Sequence, residues 1–526
     1  MSVGRAETFD KAVDFATQTI QLSLDDEPRN LNSIKAVDQI SIFFIEHVME
    51  GLLRQDERGR IVGGVAERWE IDDRHARFWL RHNAKWSDGK PVTAKDFVFG
   101  WRSGVDPANA SEYASIMYSV KNAEAINAGK LPVTALGINA IDDYTLEVEL
   151  EKPTGYFAYL MNFQIFYPVR EDFYRAQNGR YFADIKNMIF NGPFKLTEWV
   201  HAASFRMEKN ETYWNRDQVK LNVINIPYVT NDNLARFNLF KDGKTALEDG
   251  MRGIGKEQVT SAVNNRMRIR AYSDGSIWYT EMNHRKERIT SNKNLRKAMQ
   301  AVLDSQEIVN KVIGIPGYIP AYSLFPVWLQ GVHKKFRQEY PAQPPVLDVE
   351  LAKRYMQQAK QELGMETLPP LALLCDDKEN AIREAVYFQS LFKRTLGLEI
   401  RVDIQTFKQR LEKMQYGEFD MILAGWGPDY NDPMTFADLF ASWNENNHGR
   451  YNNPEYDAAL RQALGTSDPQ LRMGAFGKAQ QILIDDAAVL PQYERVVSYV
   501  QNPKLRGVAF KQTGAVMVLT YARVVE

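Results

Sequence analysis

The chain has 526 residues, 44% hydrophobic and 25% charged, with 65 Lys and Arg against 67 Asp and Glu, a net charge of −2. That length exceeds one compact core and predicts two or three domains, while a near-neutral balance without any basic run excludes a phosphate-gripping surface and leaves nucleic acid out as a partner. One cysteine, Cys375 within LALLCDD, excludes an internal disulfide framework and reads as a buried, inert thiol, and no apolar run reaches the ~18–20 residues of a membrane span.

The start, MSVGRAETFDKAVDFATQTI, has no apolar core of the signal-peptide kind. Residues 76–81, ARFWLR, and 145–150, TLEVEL, alternate apolar and polar side chains and predict half-buried strands. Between them PVTAKDFVFGW (91–101) predicts a helix start, with Thr93 capping and Asp96 answering it three residues on. The mixture of strands, short helices and turns over 49–174 predicts an α+β unit. Two proline-rich stretches, GIPGYIPAYSLFPV (314–327) and YPAQPPV (340–346), read as extended surface connections.

From about 277 to 490 the pattern changes. PLALLCD predicts a strand and ENAIREAVYFQSLFKRTLG a helix, with Ile382, Ala385, Val386 and Phe392 near one face and Gly397 as C-cap. LEIRVDIQ, FKQRLEKMQYG and FDMILAGW then predict strand, helix and strand. Such alternation implies a parallel sheet covered by helices, in which ligands lie beyond the carboxyl ends of the strands. AGWGPDYNDP (424–433) stands at one of those ends, with an aromatic ring and carboxylates directly after a buried run.

The sequence offers little for catalysis. His47, His75, His82, His201, His284, His333 and His448 are scattered, without zinc-binding spacing, and no metal or cofactor is expected. DGKT (242–245) lacks the glycine of a phosphate loop, Asn238 standing in its place, and no Gly-x-Ser-x-Gly elbow occurs. Asp376-Asp377 reads as a solvated turn.

Four stretches give the chain a family likeness: 65–101, VAERWEIDDRHARFWLRHNAKWSDGKPVTAKDFVFGW; 138–150, INAIDDYTLEVEL; 191–215, from NGPFKLTEWV to YWN; and 419–436, FDMILAGWGPDYNDPMTF. In content and order they resemble the family 5 extracellular solute-binding proteins of ABC importers, above all the oligopeptide receptors. The resemblance implies an α/β protein with an α+β inserted domain, in a two-lobe fold of the periplasmic-binding-protein type II kind with three domains. Domain I would combine 1–48, 175–276 and 494–526, domain II would be 49–174 inserted into the same lobe, and 277–493 would be the second lobe. It further implies a monomeric, non-enzymatic receptor, periplasmic or at the cell surface after loss of a signal segment. Such a receptor closes its lobes over a peptide and delivers it to a membrane permease.

Carried over position by position, the resemblance gives Asp429 the pairing with a ligand α-amino group, with Asp432 read as a turn residue. Gly425, Trp426 and Gly427 would meet the ligand main chain, glycine permitting close approach. Tyr113 and a strand at Val37–Gln39 would contact the ligand from the other lobe. Phe407, Asn447, His448 and Tyr493 fall at side-chain pockets. Where some oligopeptide receptors place two arginines and a histidine for the ligand carboxylate, this chain has Met414, Leu423 and Ala381; two asparagines correspond to Asp249 and Gly250, and a cysteine of some relatives to Gly427. The amine end is kept and the carboxylate end rewritten. Either a longer ligand has its terminus held by water or main chain, or a cationic or modified tail meets Glu248 or Asp249, with Leu423 and Met414 forming one dry wall. Within the family a chelated metal or other small solute is the alternative ligand, and an orphan signalling or adhesion role the alternative function.

Overall fold

The computed structural model describes residues 10–248, 254–444 and 446–526. The chain divides into two compact units, Met1–Asp274 with Val497–Glu526, and Gly275–Val496. The edges expected for the second lobe, 277 and 493, fall just inside the second unit.

Unit 1 opens with strands β1 (Val13–Asp14) and β2 (Thr19–Leu24) and helix α1 (Gln39–Val48). The 49–174 segment holds β3 (Ala66–Ile71), β4 (His75–Leu80), helix α2 (Ala94–Val105), β5 (Ile138–Ala140) and β6 (Thr145–Glu149). These four strands form an antiparallel sheet of their own in the order β3-β4-β6-β5, and the short strands Leu53–Gln55 and Ile61–Gly63 pair separately. Helix α2 begins as its sequence dictates: the Asp96 carboxylate accepts the Thr93 main-chain N–H at 2.9 Å and the Trp86 indole N–H at 3.1 Å. Strands β7 (Phe194–Val200), β8 (Ser204–Lys209) and β9 (Val223–Val229) complete a five-stranded sheet, order β1-β2-β9-β8-β7.

Unit 2 is built on β10 (Ile269–Met282), β11 (Ile319–Pro320), helix α3 (Val349–Leu363), β12 (Leu371–Asp376), helix α4 (Glu379–Leu396), β13 (Ile400–Gln405), helix α5 (Phe407–Tyr416), β14 (Met421–Trp426), helix α6 (Pro469–Asp485) and β15 (Val489–Gln501). The chain passes between the units within β10 and within β15. Helices α4 and α5 end on Gly397 and Gly417, whose φ angles of 64° and 70° are left-handed positions that a side chain would strain.

Strands β12, β13 and β14 run parallel, as their alternation with helices requires. The sheet as a whole is nevertheless mixed, because its order is β15-β10-β14-β12-β13 and β10 lies antiparallel against β14. Its two faces bury different sets. Leu371, Leu373, Cys375, Met421 and Leu423 share a core with Ala385, Phe388, Leu391 and Phe392 of α4, whereas Leu374 and Ile422 join Phe419 and Met414 in a separate cluster. Val386, expected on the apolar face of α4, is exposed; the buried stripe runs through Glu384, Ala385, Phe388 and Leu391 instead. Cys375 is buried, and desolvation pushes its thiol up to about 11. Among the described residues no helix is long and apolar enough to cross a membrane.

Candidate functional site

In unit 2 the site is built at the end of β14. Antiparallel pairing with β10 continues to Ile277–Trp426, but parallel pairing with β12 stops at Leu374–Ile422. From Leu423 onward β14 has a strand on one side only. The Leu423 carbonyl, on the open side, accepts Arg410 Nη1 at 3.1 Å from α5. Main-chain groups alternate sides along a strand, so those of Gly425 face the same way as those of Leu423, toward the edge where β12 has ended. An extended chain could add there as a further strand.

The two glycines differ. A side chain on Gly425 would meet the indole of Trp278, its cross-strand neighbour, at 2.8 Å, whereas Gly427 has only Ser276 Oγ at 3.4 Å. Gly425 therefore makes room for an aromatic ring of its own unit, and open space remains at Gly427. Trp426 is half-buried, and its Nε1 has no hydrogen-bond partner among the described residues; the same holds for the buried Asn431 Oδ1. Unmet buried donors and acceptors are rare in folded proteins.

Asp429 follows the strand. Its main-chain N–H donates to Thr435 Oγ1 at 3.1 Å, which fixes the turn. Its carboxylate has no Lys or Arg in ion-pair range among the described residues. The residue is exposed to solvent, yet protein packed around the carboxyl partly desolvates it and pushes it up to about 6, with no neighbouring charge contributing. A partly desolvated carboxylate without a counter-charge is stabilised by an arriving cation.

Asp432 behaves otherwise and corrects its reading as a turn residue alone. It does accept the Met434 N–H at 3.0 Å, but it is buried and held by both Nη atoms of Arg472, at 2.7 and 3.0 Å.

The remaining expected positions in unit 2 separate into distinct places. Leu423 and Met414 lie on opposite faces of the sheet and make no common wall, because successive strand residues point apart. Ala381 packs half-buried against the Leu423 side. Asn447 is buried and consumed by its own loop: Nδ2 donates to the carbonyls of Ala441 at 3.1 Å and Tyr451 at 2.7 Å, and Oδ1 accepts the Tyr451 N–H at 2.8 Å. That saturation takes it out of a ligand pocket. His448 is half-buried, its carbonyl accepts Arg285 Nη1 at 2.8 Å, and burial lowers the pKa of its ring. Phe407 opens α5, and its side chain lies outside the described residues. Tyr493 is buried, its hydroxyl donating to Glu384 Oε2 at 3.3 Å and its ring stacked on Trp278 with centroids 6.1 Å apart.

In unit 1, Tyr113 is half-buried and meets Phe163 edge-on, centroids 4.8 Å apart. Val37–Gln39 is not a strand. Asp38 is the N-cap of α1, accepting Ser41 N–H at 2.8 Å and Ser41 Oγ–H at 2.7 Å, and that local capping displaces an extended conformation beyond it. The two segments are nonetheless neighbours: Ser111 Oγ donates to the Ile34 carbonyl at 2.7 Å and Gln164 Nε2 to that of Ala36 at 3.1 Å. Asp249 and Gly250 lie outside the described residues. Glu248 is buried against Arg236, Nε to Oε1 3.2 Å, with Ser23 Oγ on its second oxygen, so its charge is already answered and it is removed from the role of meeting a cationic tail.

Sequence reasoning missed Trp278, Tyr318 and Glu384. Glu384 left a signal: it lies four residues before Phe388 and seven before Leu391, on the buried stripe of an amphipathic helix. Trp278 left none, since its role depends on cross-strand register.

The profile described as bacterial extracellular solute-binding proteins, family 5 Middle, matches residues 60–448. The chain is 32% identical over 516 residues to the oligopeptide-binding protein OppA of Bacillus subtilis (strain 168), covering 95% of this chain and 91% of that protein. Among solved structures, the unliganded open form of the murein tripeptide-binding protein MppA superposes with a TM-score of 0.85 at 29% identity, over 98% of this chain and 99% of that one. Listeria monocytogenes OppA bound to peptide gives a TM-score of 0.72 at 31% identity, over 97% and 99%.

Proposed function

Because this chain belongs to the family 5 bacterial extracellular solute-binding proteins, with a two-lobe α/β fold and peptide-binding relatives, we propose that it is the peptide-capturing receptor of an ABC importer. The observation that carries this reading is the Asp429 carboxylate, desolvated yet without a basic partner, next to a strand end whose edge is open. An extended peptide lies with its main chain along Gly425, which recognises any sequence through groups every peptide has. Its terminal ammonium pairs with Asp429, a pairing that a neutral sugar lacks the charge to make. Closure of the lobes excludes water and strengthens that pair. The protein works outside the cytoplasm, as a monomer, and passes its ligand to a membrane-embedded permease.

At the far end of the ligand, Met414, Leu423 and Ala381 supply no cation. With Glu248 occupied by Arg236, a cationic tail would be left to Asp249, which lies outside the described residues, and a carboxyl terminus held by main chain or water is the other reading. Thermal melting in the presence of tripeptides tests the whole proposal. Free-amine trialanine raises the melting temperature and N-acetyl-trialanine raises it far less; equal shifts would remove Asp429 from the role.

A further inference from the structure

Of the buried acids in unit 2, Glu384 has no role in the reading above. It is 2% exposed, on the sheet-facing side of α4. Its Oε2 accepts the Tyr493 hydroxyl at 3.3 Å, and its Oε1 is buried without a hydrogen-bond partner among the described residues. The Tyr493 ring lies near-parallel to Trp278, at 19°, and also contacts Tyr318, centroids 5.4 Å apart. The Trp278 indole in turn covers Gly425, and its Nε1 is another buried donor without a partner among the described residues. A continuous series of contacts thus runs from a buried carboxyl, through a phenol and an indole, to the open strand end. Trp278 and Tyr318 are only partly buried and form its accessible surface.

We propose that Glu384 is a positioning residue that holds this aromatic wall beside Gly425, and that the wall takes an apolar or aromatic side chain of the bound peptide and rejects an acidic one. The surroundings support a neutral role. Burial pushes the Glu384 carboxyl up to about 8; the Tyr493 hydroxyl opposes that shift, the Asp376 carboxylate adds to it, and no cation counters it. At neutral pH the group is mostly protonated, so its proton can be donated while Oε2 receives Tyr493. The wall then carries no charge to attract a cation, and a ligand carboxylate would face the negative faces of aromatic rings, which is electrostatically unfavourable.

The peptide part of this inference rests on the reading of Asp429; the wall itself does not, and the two are tested separately. In the ligand-free protein, the tryptophan emission removed by Trp278→Phe should change with a midpoint near pH 8 and stay flat in Glu384→Gln, which cannot ionise. A transition that persists in Glu384→Gln, or none in the unaltered protein, overturns the assignment whether or not any peptide binds. For specificity, tripeptides with Phe or Glu at each position in turn are compared by calorimetry at pH 7 and pH 9.5. At one position Phe should be favoured over Glu by about tenfold at pH 7. That ratio should narrow in Glu384→Ala, hold in Glu384→Gln, and rise at pH 9.5 in the unaltered protein only, where the ionised Glu384 repels an acidic side chain further; taking a ratio cancels titration of the ligand amine. An unchanged ratio in Glu384→Ala, or one lost equally in Glu384→Gln, overturns the proposal. Failure of every free-amine peptide to bind overturns the peptide reading instead, and the emission experiment still decides the wall.

Discussion

Asp429 and Asp432 stand three residues apart in one turn and do opposite things. Asp432 brings its own cation: Arg472 clasps it with two hydrogen bonds inside the core, and the pair ties the turn after β14 to helix α6. Asp429 has no such partner among the described residues, and desolvation alone raises its pKa. Glu248 of unit 1, buried on Arg236, belongs with Asp432. An acid whose charge is answered within the chain is a structural element, whereas an exposed one that is partly desolvated and left unanswered can receive something positively charged.

The largest effect that could break this comparison lies on the structural side. Arg472→Met leaves Asp432 buried and uncompensated, and should cost roughly 3–5 kcal/mol in urea-unfolding free energy. Tripeptide affinity of the molecules that remain folded should hardly move. Next comes Asp429→Asn, which keeps shape and removes charge. A hydrogen bond to a charged group contributes about 1.5–3 kcal/mol, so trialanine should bind roughly ten- to a hundredfold more weakly by calorimetry. Unfolding free energy at pH 7 should not fall, because the exchange removes a carboxylate whose ionisation opposes folding there. A variant that unfolded easily while still binding would exchange the two roles.

These pairings were legible to very different degrees. The β12–α4–β13–α5–β14 alternation could be read directly, because periodicity and the two glycine caps are local signals. The antiparallel β10 inserted beside β14 was not, since pairing partners are distant in sequence. Asp432 and Arg472 are 40 residues apart, and nothing local to either marks the pair. Val37–Gln39 failed for the opposite reason: a strong local signal, Asp38 ahead of Ser41, overrode a strand inferred by likeness. Likeness located the turn at 424–433; only coordinates separated its two aspartates.

A pH series sharpens the contrast at smaller amplitude. The Asp429 pKa is raised on folding, so its contribution to the stability of the ligand-free protein is full below the ordinary carboxylate range and is lost as pH rises through about 6. Binding of an ammonium follows the reverse sign, because the ligand needs the carboxylate form. Between pH 7 and pH 5 trialanine affinity should fall by about tenfold, and Asp429→Asn should abolish that slope.

The smallest effects concern the glycines that precede both acids. Gly425→Ala pushes a methyl group against the Trp278 ring at 2.8 Å, a contact that a side chain can relieve only by shifting. It should cost about 1 kcal/mol in stability and weaken peptide binding with it, since the displaced indole borders the open strand edge. Gly427→Ala meets only Ser276 Oγ at 3.4 Å and needs no left-handed backbone. Its stability should change by less than about 0.5 kcal/mol. Any loss of peptide affinity in that variant would then report crowding of the ligand and not of the protein. A Gly427→Ala protein that melts normally and binds normally would place the peptide main chain at Gly425 alone.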